Sequence, residues 1–209
     1  MPIKRLQISG VRNLQPLSLT PSLGVNFIYG ENGSGKSSLL EAVYILANGK
    51  SFRHHLLKPV IQHEMDSCVL FSEIEDNRMG HARLGVQRSR NGDKAIKLNG
   101  ESLHSQADAS AWLPVQIIEP NTFKLLSGSP QERRQFIDWG VFHVEHSFLN
   151  QWREFKKLLQ QRNAVLKKGE PDWLDVWDKG FVKAANAVNV SRKAYIERLL
   201  PVFQDTLSR

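Results

Sequence analysis

The chain has 209 residues, 41% of them hydrophobic and 23% charged, with a net charge of +7 at neutral pH. That suits one domain, or one and a half, with a sizeable buried core, and with no run of about 18 apolar residues a membrane span is not expected. The basic balance favours polyanions, nucleic acid first among them, but charge alone does not choose a partner. The first ten residues, MPIKRLQISG, enter an alternating pattern rather than an apolar signal core, so we expect no export and a cytoplasmic location. The single cysteine, Cys68, lies in an apolar stretch and reads as a small buried hydrophobe in a reducing compartment.

Taken in chain order, Ile3, Leu6 and Ile8 predict a short extended segment closed by Gly10. Residues 25–29 (Val-Asn-Phe-Ile-Tyr) predict a compact strand running into Gly30. Residues 37–48 predict a helix, with Leu39, Leu40, Val43, Leu46 and Ala47 on one broad face and Gly49 as its stop. Between 67 and 104 the period falls to two, through Val69, Leu70 and Phe71, then Ala82, Leu84 and Val86, then Ile96 and Leu98. Asn91-Gly92 and Asn99-Gly100 are hairpin signals, so this part predicts an antiparallel subsheet. Residues 114–118 predict one more apolar strand, broken by Glu119, Pro120 and Asn121.

From Pro130 onward the pattern is helical. Phe148, Leu149, Trp152, Phe155, Leu158, Leu159, Val165 and Leu166 keep one stripe, with Lys156, Lys157, Arg162, Lys167 and Lys168 mostly off it. Gly169, Glu170 and Pro171 break that helix, and a last helical region includes Tyr195, Leu199, Leu200, Val202 and Phe203. A mixed α/β part therefore gives way to a helical part near residues 120–130.

Gly30, Glu31, Asn32, Gly33, Ser34, Gly35, Lys36 and Ser37 satisfy every fixed position of G-x-x-x-x-G-K-[ST] between a predicted strand and a predicted helix. The chemistry needs each residue type. Glycines let successive backbone N–H groups converge on a phosphate, and the helix N-terminus adds its positive end. Lys36 can reach the outer phosphates as a mobile cation, and Ser37 can offer a hydroxyl to Mg²⁺. Hydrolysis further needs a metal-holding acid. The one apolar strand ending in a carboxylate is 115–119, and Glu119 reads more simply as a strand-end cap, so no catalytic residue is named. The spacing of His143 and His146 suits a metal pair on one helix face, but the sequence shows no third ligand, so a structural role is the better reading.

The stretch GENGSGKS followed by Leu39-Leu40-Glu41-Ala42 resembles the ABC-type ATPase heads of the SMC and RecF group. The RecF family is the nearest resemblance. It is carried by Gly10-Val11-Arg12-Asn13-Leu14, with Val11 where that family usually has Phe, and by Gly49-Lys50-Ser51-Phe52-Arg53. It is carried also by Glu119-Pro120-Asn121 through Gly128-Ser129-Pro130, by Arg133-Arg134-Gln135-Phe136-Ile137-Asp138-Trp139-Gly140, and by Gln160-Gln161-Arg162-Asn163-Ala164. The resemblance implies an α/β fold: the N-terminal part of an ABC-type P-loop ATPase lobe I (1–122, a mixed sheet with an antiparallel subsheet) and a mostly helical lobe II (123–209), both incomplete, with the truncation at the C-terminus.

It also implies ATP and Mg²⁺ as cofactors, sandwiched in an ATP-dependent homodimer that clamps DNA at single-strand gaps and junctions. RecR- and RecO-type mediators are the implied partners in loading recombinase. The family's activity is a slow DNA-dependent ATPase. Lys36 and Ser37 carry over as phosphate and Mg²⁺ contacts, and Arg12 and Asn13 as residues near the nucleotide or, equally, as shapers of a turn. Arg53 carries over as a residue near the γ-phosphate or as an exposed surface arginine, and the place of a metal-facing glutamine falls to Glu119 or Asn121.

A signature motif, a strand ending in paired acids and a later histidine-like switch belong to the implied family, and none is found here. Turnover by this chain alone is therefore not expected, and its P-loop strand is expected to lack neighbours. Two further readings stay open: a complete small P-loop kinase or NTPase with Glu119 as its acid, and a non-hydrolysing module that binds DNA or a partner. The hairpin subsheet speaks against the kinase.

Overall fold

The structure, a computed structural model, describes residues 3–54, 56–76, 80–119, 124–169 and 174–209. The chain divides into two compact units, Met1–Ile117 and Ile118–Arg209.

The first unit is built on a six-stranded antiparallel sheet formed by β1 (Ile3–Ser9), β2 (Leu17–Leu19), β3 (Ser67–Asp76), β4 (Gly80–Ser89), β5 (Lys94–Leu98) and β6 (Glu101–Ser102), in the order β2-β1-β3-β4-β5-β6. Alternation decides its faces. Leu6, Ile8, Cys68, Leu70, Ile74, Ala82, Leu84, Val86 and Ile96 point to one side and are buried. Both Asn-Gly pairs turn the chain as expected. Leu98 pairs with Glu101 across Asn99 and Gly100, which both have positive φ (52° and 91°), as a two-residue primed turn requires.

Helix α1 (Lys36–Asn48) supplies the other half of this core through Ala42, Ile45, Leu46 and Ala47. It ends at Gly49, whose left-handed backbone (φ 68°) turns its N–H onto the Ile45 carbonyl at 2.7 Å. The short helix α2 (Gln106–Trp112) closes the same end: Gln106 Nε2 and Ser110 Oγ donate to the Ala47 carbonyl at 3.0 and 2.7 Å. These bonds satisfy a carbonyl that the helix end leaves open. Arg90 holds the 61–65 segment by donating to the carbonyls of Ile61, Gln62, His63 and Met65 at 2.7–3.1 Å.

Two predicted strands do not form. Residues 25–29 and 114–118 carry no ladder hydrogen bonds and belong to no sheet, and Val25, Phe27 and Tyr29 are 76%, 87% and 92% exposed. An apolar run states a need for burial but does not supply a partner strand, and among the described residues none flanks either segment. The six strands also contain no parallel pair and hence no βαβ unit, so the small-kinase reading does not hold.

The second unit is helical: α3 (Lys124–Ser127), α4 (Pro130–Val144), α5 (Phe148–Lys168) and α6 (Leu174–Leu207). Helix α4 opens on Ser129, whose N–H and hydroxyl both donate to the Glu132 carboxylate, with Pro130 in the first turn. Its core gathers Val141, Phe148 and Val188, with Ile137, Phe142, Trp152, Phe155 and Tyr195 packed around them. Asp138 joins all three long helices. It accepts from Arg192 Nε and Nη2 at 2.7 and 2.9 Å and from Trp152 Nε1 at 3.3 Å. Helix α4 ends at Val144, so His143 and His146 do not share a helical face. His143 instead lies edge-on to Trp139 and Phe142, and its burial holds its pKa below the ordinary histidine value.

Candidate functional site

The loop before α1 has the backbone a phosphate cradle needs. Gly30, Gly33 and Gly35 all have positive φ (148°, 86° and 96°), and Gly35 caps the helix in the left-handed region. A side chain at Gly35 would also strike Leu14, its Cβ standing 2.6 Å from Leu14 Cδ2. Glycine is thus required there twice, for dihedral and for space. The first helical bond of α1 runs from the Leu39 N–H to the Gly35 carbonyl, which leaves the N–H groups of Lys36, Ser37 and Ser38 without helical acceptors.

Lys36 is half-buried, and its Nζ donates to the carbonyls of Gly30 and Glu31, each at 2.7 Å. The ammonium therefore spans the loop it would share with a phosphate. Glu31, Asn32, Gly33, Ser34 and Ser37 are exposed, and the Ser34 N–H closes the turn on the Glu31 carbonyl at 3.2 Å. Free amides, a lysine and a hydroxyl in one loop fit the phosphates of a nucleotide. For a metal ion the chain offers Ser37 at this point. No group of three or more His, Cys, Asp or Glu side chains is gathered anywhere among the described residues.

The turn after β1 braces the cradle from behind. Asn13 Nδ2 donates to the Gly33 carbonyl at 2.7 Å, and Ser38 Oγ donates to Asn13 Oδ1 at 3.3 Å, so Asn13 ties the loop to the first turn of α1. Arg12, with φ 47°, sends its guanidinium elsewhere. Its Nε and Nη2 donate to the two carboxylate oxygens of Glu41 at 2.5 and 3.0 Å. Of the two residues expected near the nucleotide, Asn13 contacts the loop and Arg12 holds the helix that follows it.

Glu41 is fully buried on α1. Besides Arg12 it accepts from the Ser51 hydroxyl, and Arg53 Nη1 stands 4.0 Å from its Oε2 with the Arg53 side chain 44% exposed. Ser51 Oγ in turn accepts from the N–H groups of Arg53 and His54 at 2.9 and 3.0 Å. Burial pushes the Glu41 carboxyl up, but the hydrogen bonds from Arg12 and Ser51 and the charges of Arg12 and Arg53 outweigh it. The group is held below the ordinary carboxylate value. Two sequence segments, 12–14 and 51–54, are thereby fastened to the P-loop helix through one carboxylate.

Sequence reasoning missed this centre. Glu41 stands where the apolar stripe of α1 should run: the buried face is Ser38, Glu41, Ala42, Ile45, Leu46 and Ala47, while Leu40 is 48% exposed. A lone acid on a helix face with arginines on flanking turns was the available signal. Gln116 and Glu119 lie in or beside the unpaired 114–118 segment, and Asn121 lies outside the described residues.

The profile of the RecF/RecN/SMC N-terminal domain family matches residues 2–208. Over its whole length the chain is 45% identical to the DNA replication and repair protein RecF of Pseudomonas syringae pv. syringae (strain B728a) and covers 57% of it. To the protein of the same name in Stutzerimonas stutzeri (strain A1501) it is 44% identical, covering 56% of that protein. The chain thus spans little more than half the length of these curated relatives. A solved structure of the recombination mediator protein RecF with ATP, from the RecFOR pathway, superposes with a TM-score of 0.84 at 27% identity, over 94% of this chain and 54% of that one. A structure from work on ATP-driven dimerisation of SMC ATPases shares the fold alone, at 19% identity and a TM-score of 0.54 over 66% of this chain and 98% of that one. The architecture is that of the RecF and SMC ATPase heads, and the chain belongs to the RecF/RecN/SMC N-terminal domain family.

Proposed function

We propose that the chain is the ATP-holding part of a RecF-type DNA replication and repair protein. The observation that carries this reading is the cradle itself: three left-handed glycines, Lys36 drawn across the loop, and amides at the start of α1 left open for an anion. Bound ATP would supply the triphosphate charge that these groups neutralise, with Mg²⁺ meeting the Ser37 hydroxyl. Residues 30–37 do the holding, Asn13 keeps Gly33 in place, and Arg12 and Arg53 lie on the turns that Glu41 fastens to α1.

In the same reading, residues 1–122 form lobe I and 123–209 lobe II, and two copies close on ATP to clamp DNA. RecO- and RecR-type proteins are the partners, and recombinase loading at single-strand gaps is the outcome. The support is the 45% identity to a named DNA replication and repair protein and the likeness to a RecF of the RecFOR pathway. Binding is assigned to this chain, and no catalytic residue is. Titration with a fluorescent ATP analogue tests the reading, with and without Mg²⁺. Saturable binding displaced by ATP is expected, and absence of displaceable binding overturns it. Sedimentation of the same samples reads dimer formation separately.

A further inference from the structure

The face of the sheet turned away from α1 carries a hollow outside the ATP cradle. Strand β4 alternates buried and outward residues, and its outward set is His81, Arg83, Gly85 and Gln87. Gly85 is unexpected. It sits mid-strand without a left-handed backbone, and a Cβ built on it would meet nothing within 4 Å. Neither dihedral nor crowding calls for glycine here, and glycine in a strand interior weakens the strand. A strand-interior glycine marks a bulge, a tight bend or a close approach to the backbone; the register runs through Gly85 without a bulge on either side, which favours close approach of another group.

Its neighbours say what. The register places Phe71 of β3 on one side of Gly85 and Lys97 of β5 on the other, in one cross-strand row. Arg83 and His81 follow on the same face, and with Asn99 and Gly100 these residues line a shallow hollow of about 570 Å³. His81, Arg83 and Lys97 are exposed, and none of them takes part in an ion pair within 4.0 Å among the described residues. The acids nearby are accounted for in part: Glu73 lies between Arg5 and Arg83 in the register, and Glu75, opposite His81, is paired with Lys4 at 2.5 Å. The hollow therefore combines an aromatic ring, a bare floor and three groups suited to phosphates.

We propose that this sheet face binds single-stranded nucleic acid, with a base laid over Gly85 against the Phe71 ring and flanking phosphates held by Arg83 and Lys97. An unpaired base offers the flat face that such a floor admits, whereas a duplex keeps its bases stacked inside. The site is separate from the ATP cradle, and it deepens the functional reading by resting on its claim that the chain works on DNA.

The test is fluorescence anisotropy of a labelled oligothymidylate of about eight nucleotides and of a duplex of equal length, with the full chain and three variants. Gly85→Val fills the hollow with a good strand former, so its melting temperature should hold or rise while oligothymidylate affinity falls at least about ten-fold. Phe71→Leu keeps the apolar surface but removes the ring, and should weaken single-strand binding about as much. Arg83→Ala/Lys97→Ala changes only exposed side chains and should reduce the slope of log affinity against log salt by about 1.4. Unchanged binding by Gly85→Val and by Arg83→Ala/Lys97→Ala overturns the site and leaves the DNA reading standing. Equal affinity for the duplex overturns the base contact. Binding of neither oligonucleotide overturns both the site and the DNA reading.

Discussion

Arg12 and Glu41 face each other as a two-pronged pair, Nε to Oε2 at 2.5 Å and Nη2 to Oε1 at 3.0 Å, with the carboxylate fully buried and the arginine side chain 20% exposed. Both prongs are charge-assisted and parallel, the strong form of such a contact. The pair links the turn after β1 to the middle of the P-loop helix. Through Ser51 the same carboxylate reaches the segment after that helix.

Removing one member of a buried pair strands the other. Glu41→Ala should cost about 3 kcal/mol, the low end for breaking a buried pair, because Arg12 keeps some access to water. Arg12→Ala should cost more than an exposed arginine would, since it leaves the buried carboxylate without its main partner. The double variant should lose less than the sum of the two. Urea unfolding of the three variants checks this; strictly additive losses would contradict the coupling.

The pair also sets an acid limit. The folded-state pKa of Glu41 lies below its unfolded value, so its contribution is present above the ordinary glutamate pKa of about 4.3 and fades as pH falls through the lower folded value. Wild-type stability should therefore drop, as pH falls below about 4.3, more steeply than that of Glu41→Gln, which has no proton to take up. Parallel curves for the two proteins would contradict the assignment.

In the helical unit, Gly140 is buried on α4 where a Cβ would come within 2.2 Å of Tyr195 Oη and 2.3 Å of its Cζ. Alanine gains about 1 kcal/mol of helix propensity over glycine. Overpacking against a ring on α6 costs about 1–3 kcal/mol, and contact this short puts the cost at the upper end. Gly140→Ala should be destabilising on balance, and adding Tyr195→Ala should restore part of the loss relative to Tyr195→Ala alone. Thermal unfolding reads both; a stabilised Gly140→Ala chain would show that α4 and α6 pack otherwise.

Much of this was legible in the sequence because the signals were local. Asn99-Gly100 turned because few other residue pairs accept two positive φ angles in succession, and Gly49 ended α1 for a related reason. Residues 25–29 and 114–118 do not form the strands their pattern predicts, because apolar character concerns burial while strand formation depends on neighbours distant in sequence. The Glu41 centre was hidden for the same reason. Its partners come from residues 12 and 51–53, and nothing in the residues next to Glu41 announces that they converge. Gly85 is the reverse case: nothing beside it in the sequence marks it, and its meaning comes from the register, which puts Phe71 and Lys97 on either side.

The central claim is that residues 30–37 hold the phosphates of ATP, and Lys36 is where it is most exposed to test. Among the described residues its Nζ bonds to loop carbonyls alone, and Lys36→Ala removes no core contact, so the fold should persist by circular dichroism and melting temperature. Affinity for a fluorescent ATP analogue, measured by titration on this variant beside the wild type, should fall by at least about ten-fold, as loss of a charge-assisted phosphate contact implies. A folded Lys36→Ala chain that binds the analogue as tightly as the wild type would contradict the account.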